Sequence, residues 1–149
     1  MSRDAEVIVL ARWADEVMEP LTRDDPERTW RGHFVPITGQ WGYKFGWALE
    51  FDKLGARKGL LRQLESLAWP QPHTVQVLLR DQDDDCFGLW MFQEGRLVEV
   101  TIPGTGRFHQ PAPAHEDDEP YPSMLLRTDQ DWALPEQTPE ALRDTRPPW

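Results

Sequence analysis

The chain has 149 residues, a formal net charge of −10, one cysteine, eight tryptophans and fourteen prolines. That length is one domain by size and buries a core without a disulfide or metal staple, and a lone cysteine excludes an internal disulfide framework. The charge excludes general affinity for nucleic-acid phosphates and for an anionic membrane surface, because both repel it.

Residues 7–11 are too short for an export signal, and Asp4 and Glu6 stand where positive charge belongs. No run approaches the ~18 apolar residues of a membrane span. The expected location is cytoplasmic, with no membrane partner and no nucleic acid.

Residues 4–19 place Val7, Leu10, Ala11, Ala14, Val17 and Met18 at helical spacing, with Leu21 continuing it. Ser2 or Asp4 would cap this helix and Pro20 would stop it. The β-branched run Val7-Ile8-Val9 offers a rival strand, but it does not alternate cleanly. A charged loop follows over residues 22–29. Residues 30–37 predict a strand, and Pro36 puts it at a sheet edge or ends it there.

Thr38-Gly39-Gln40 turns into the landmark of the chain, residues 41–51. Trp41, Tyr43, Phe45, Trp47, Leu49 and Phe51 alternate with Gly42, Lys44, Gly46, Ala48 and Glu50. A period of two predicts a strand with its odd face in the core. The even face is then the side that the C-terminal segment or a partner would cover.

Residues 52–69 predict a second helix, with Leu60, Leu61, Leu64, Leu67 and Ala68 on one face and Pro70 after it. Leu54 joins that face at the start, and Gly55 and Gly59 weaken the early turns. Three strands follow, over residues 73–80, 86–93 and 96–102. The last two are joined by Glu94-Gly95, a tight hairpin turn. Residues 86–92 are apolar on both sides, which marks a central strand.

The expected fold is therefore α+β in the order α-β-β-α-β-β-β. It is a mostly antiparallel five-stranded sheet with two helices on one face. From Pro103 the character changes: residues 103–149 hold nine of the fourteen prolines and nine acids against four arginines. This predicts a core over residues 1–102 and a proline-rich acidic arm over 103–149. Within the arm, Met124-Leu125-Leu126 reads as a further strand and Thr138-Pro139-Glu140 as a helix start.

Motifs for chemistry are weak throughout. Asp81-Gln82-Asp83-Asp84-Asp85 opens like a calcium loop, but Cys86 replaces the turn glycine and Phe92 the bidentate glutamate. His33, His73, His109 and His115 have no zinc spacing, so no metal and no cofactor is expected. Cys86 follows aspartates that disfavour a thiolate. Ser2, Ser66 and Ser123 form no nucleophile elbow. The pair to examine in an enzyme is Glu50 and Asp52, near Arg57. Residues 44–62 are the one net-positive stretch of that length, expected to pair with the chain's own acids, or otherwise to meet a phosphate-bearing ligand or nucleic acid.

Two functional expectations result. The first is an acidic intracellular binding protein for a basic protein partner, most concretely an inhibitor or immunity protein against a toxin such as a nuclease. Its contact residues would be Asp81, Asp83, Asp84, Asp85, Glu116, Asp117, Asp118, Glu119 and Trp132. The second is a small-ligand domain or enzyme with a pocket built on residues 41–51. It would use Tyr43, Trp47, Glu50, Asp52, Arg57 and Trp90, with Gly42 and Gly46 admitting the ligand.

Overall fold

The computed structural model describes residues 4–52, 56–118, 122–144 and 149. Ser2, the Lys53-Leu54-Gly55 stretch and Glu119 lie outside the described residues. The fold is mixed α/β: one six-stranded antiparallel sheet, a separate two-stranded sheet, and two short α-helices.

The strands are β1 (Ala5–Leu10), β2 (Val35–Thr38), β3 (Lys44–Phe51), β4 (Gln76–Asp81), β5 (Gly88–Gln93) and β6 (Arg96–Val100). They lie in the order β2-β3-β1-β4-β5-β6. The helices are α1 (Asp15–Met18) and α2 (Leu60–Ser66). The second sheet pairs β7 (Thr105–Phe108) with β8 (Met124–Arg127).

The first predicted helix is a strand over most of its length. β1 lies at the centre of the sheet, paired over all six residues with β3 on one side and β4 on the other. Backbone pairing on both sides outweighs a helical spacing pattern that only tertiary contacts could have stabilised. The expected count of five strands becomes six for this reason. Only α1 remains of the helix, followed by a 3₁₀ turn, Glu19–Thr22.

The second helix is also shorter than expected. Gly59 at φ +87° precedes it, so α2 starts at Leu60 and ends before Leu67, which is extended. Trp30 and Phe34 are fully buried, yet they lie in loop rather than strand and meet edge to face at 5.9 Å. Arg28 holds that loop: it donates to the carbonyls of Arg23 and Gly32 and stacks on Trp30.

The hairpin turn is as expected, with Glu94 and Gly95 both at positive φ, which a two-residue type I′ turn requires. β2 is the sheet edge and carries Pro36. Met124-Leu125-Leu126 does form a strand, while Glu140–Leu142 is a 3₁₀ turn.

The core lies on one face of the six-stranded sheet. Val7, Val9, Trp47, Leu49, Val77 and Leu79 point there and are covered by Met18, Leu21, Trp30, Phe34, Leu60 and Leu64. The odd positions of the aromatic stretch split between two environments. Trp47, Leu49 and Phe51 are buried, but Trp41 is 82% exposed, Tyr43 71% and Phe45 48%. Trp41 and Tyr43 lie in the hairpin turn before β3, and Phe45, at the start of β3, is not among the residues of the core cluster.

Candidate functional site

Strand registers build two surfaces of different chemistry. The first is the other face of the sheet. Reading across the partners gives one row: Val35, Ala48, Ile8, Leu78, Leu89 and Val100. It is apolar on every one of the six strands. The adjacent row is Ile37, Gly46, Leu10, Gln76, Met91 and Val98.

At strand spacing these rows run about 24 Å across the sheet. None of their residues belongs to the core cluster or packs against it among the described residues. Val35 is 58% exposed, and Val98 and Val100 are exposed as well. A third row, Glu50, Glu6 and Arg80, closes the face with charge, and Arg80 bonds Glu6 at 3.3 Å.

Gly46 does not admit a ligand here. A Cβ on it would stand 2.8 Å from Leu10 Cδ2 and 3.3 Å from Ile37 Cδ1, so its neighbours fill the space. Gly42 lies in the turn at φ +80° with nothing near it.

The second surface is a half-open cleft of about 810 Å³ on the covered side, between α2, β6 and the β7–β8 hairpin. Leu61, Leu97, Trp90 and Trp149 give it apolar walls. Asp81 and Asp84 lie in its floor. Arg57 pairs with Asp81 and stacks on Trp149, whose ring meets Phe51 edge to face. The Asp84 carboxylate accepts the backbone N–H groups of Asp81 and Leu125, at 2.8 and 2.7 Å, and faces Arg107 at 3.7 Å. It thereby fastens β8 to the end of β4. Burial nevertheless pushes its pKa up, against the pull of those amides and of Arg107.

Arg107 also pairs with Glu99 and donates to Ser123 Oγ. His109 is the residue beyond β7 and Ser123 the residue before β8, and both line the cleft. No hydrogen bond joins them among the described residues, so they do not form a nucleophile–base pair. Burial, with Arg143 and Arg107 adding, lowers the His109 pKa. Cys86 is half-buried; burial raises its pKa, and Asp84 and Asp85 add to that.

The residues expected at a partner surface separate. Asp81 and Asp84 are buried, at 2% and 6% exposure, and serve the fold instead. Their carboxylates are consumed by Arg57 and by backbone amides, which a bare acidic run does not reveal. Asp83 and Asp85 are exposed, although Asp85 accepts Arg127 N–H. Glu116, Asp117 and Asp118 are exposed, as is Trp132 at 54%.

The expected pocket residues separate too. Trp47 is buried in the core, Tyr43 is at the exposed turn, and Glu50 and Asp52 border the open face. Trp90 lines the cleft, next to the Arg57–Asp81 pair. The sequence reading missed the cleft walls Leu61 and Leu97 and the arginine Arg107. No sequence signal pairs residues from α2, β6 and β7.

Among the described residues, no group of three or more His, Cys, Asp or Glu side chains could hold a metal ion, and no helix is long and apolar enough to cross a membrane. Comparison with protein-family models, curated proteins and solved structures finds no match.

Proposed function

We propose that this is an acidic binding protein that packs the open face of its sheet against a basic protein partner. The observation that carries this is the row Val35, Ala48, Ile8, Leu78, Leu89 and Val100, apolar across six strands and outside the core cluster. An apolar patch of this breadth marks an interaction surface. A protein that presents an apolar sheet or helix face to it would complete a second core layer.

The charge of the chain selects the kind of partner. A second copy would bring −10 against −10, which opposes self-association. A basic protein is drawn in, and exposed acids such as Asp83, Glu116, Asp117 and Asp118 speed its approach. An inhibitor or immunity protein against a basic toxin is the most concrete form of this reading, and a cytoplasmic setting suits it. The exposed acids then contribute steering, while the apolar rows supply the contact. The residues 103–149 arm would carry much of that steering charge.

The test uses paired baits, the wild-type chain and Val98→Glu, in a low-salt pull-down. Val98 is exposed, so the variant leaves the core alone. The expected result is one basic protein, bound one to one, lost in the variant and released by moderate salt. Binding that survives Val98→Glu and Val35→Glu together would sink the proposal, as would a stable homodimer in solution.

A further inference from the structure

We infer that the cleft between α2, β6 and β7–β8 binds a small anion carried on a planar aromatic ring, the chemistry of a mononucleotide or an aromatic carboxylate. This goes beyond the protein-binding role and uses the opposite side of the sheet. Its volume, about 810 Å³, falls within the range that encloses a small organic ligand.

The sign of the ligand follows from which charges in the lining are already matched. Asp81 pairs with Arg57, Glu99 with Arg107, and Asp84 takes two backbone amides. Glu65 accepts the backbone N–H of Leu97 at 2.8 Å. Asp144, also in the lining, has an interaction of its own, although its buried Oδ2 takes no hydrogen bond among the described residues. Asp81, Asp84, Glu99 and Glu65 are thus engaged within the fold.

The cations at the rim are not. Lys58, in the turn before α2, and Arg62, within α2, border the cleft with exposed side chains and no ion pair among the described residues. Arg96 at the start of β6 is likewise unpaired and borders it. In a chain of net charge −10, this rim is a local reversal of sign. A ligand entering there meets positive charge at the mouth and indole walls, Trp90 and Trp149, further in. Indole faces stack on planar rings, and the cations hold an anionic group at the rim.

The experiment is calorimetric titration of the full chain with two anionic probes, adenosine monophosphate and naphthoate. Their neutral twins, adenosine and naphthol, are run beside them. At least one anion is expected to bind more than about tenfold tighter than its twin, with affinity falling as salt rises. Which anion wins distinguishes phosphate from carboxylate as the recognised group. Charge reversal at Lys58→Glu and Arg62→Glu together is expected to weaken that anion by more than about tenfold and to leave the neutral twin unchanged. Thermal melting of the double variant checks that it remains folded, and the salt dependence of the wild type stands independently of any variant.

The inference is overturned if neither anion binds at about 10 mM, a level about tenfold above a 1 mM Kd. It is overturned equally if the neutral twins match their anions, or if charge reversal changes nothing. Val98→Glu on the open face should leave this binding intact, so failure here and failure of the protein-binding proposal are separate results.

Discussion

The two faces of the six-stranded sheet are built from the same residue types and meet different fates. On the covered face Val7, Val9, Val77 and Trp47 are at most 1% exposed beneath Leu60, Leu64, Trp30 and Phe34. On the other, Ile8, Leu10, Leu78, Leu89 and Met91 are half-buried and lie outside the core cluster. A sheet that served stability only would put polar side chains on the second face. Apolar residues there gain the fold little and give a partner a prepared surface.

This contrast can be broken by substitution, and the largest effect belongs to the covered face. Trp47→Ala should cost about 3–5 kcal/mol in urea denaturation, because it removes a fully buried ring and leaves a cavity. Ile8→Ala, one strand over on the open face, should cost well under half of that. Equal costs would mean that the second face is covered in solution, and the comparison would collapse.

Asp84→Ala should cost about 2–4 kcal/mol, since two buried amides lose their acceptor. Its pH dependence has a definite sign. The folded pKa is raised, so the folded state holds this proton more tightly than the unfolded chain. The contribution of Asp84 to stability is therefore greatest below its unfolded pKa and is lost as pH rises through the folded value. The stability gap between wild type and Asp84→Ala, followed by denaturation across that window, should narrow with rising pH. A gap that widens would reverse the assignment.

Gly46→Ala should destabilise by about 1–3 kcal/mol, because the new methyl meets Leu10 and Ile37 too closely. The smallest effect is expected from Val98→Glu. The free protein should change by no more than about 0.5 kcal/mol, since Val98 is already exposed. Stability unchanged with partner binding lost would separate the two faces most sharply.

The same contrast explains what was legible in the sequence. β3 was readable because Trp47, Leu49 and Phe51 alternate with small or charged residues. The edge position of β2 was readable from Pro36, and the β5–β6 hairpin from Glu94-Gly95. β1 was not readable, since Val7-Ile8-Val9-Leu10 is apolar at every position. A strand with a covered face and an open apolar face loses its period of two, and a helical pattern then competes. The misread strand and the open face thus have one cause. The cleft was partly legible: Arg57 and Trp90 were singled out for a ligand pocket, though one built on residues 41–51, and Asp81 and Asp84 for a partner surface. Their meeting depends on Arg57 reaching Asp81 and on Leu125 reaching Asp84, contacts 24 and 41 residues apart.

Pro36 has a consequence for how molecules of this protein meet one another. It interrupts the β2 edge, where a proline ring offers no N–H to an incoming strand. A strand added there would lengthen both rows of the open face at once and leave a fresh edge behind it, the geometry from which filaments grow. Stacking onto the face stops after one partner, whereas growth along the edge has no natural end. By blunting β2, Pro36 favours the association that terminates.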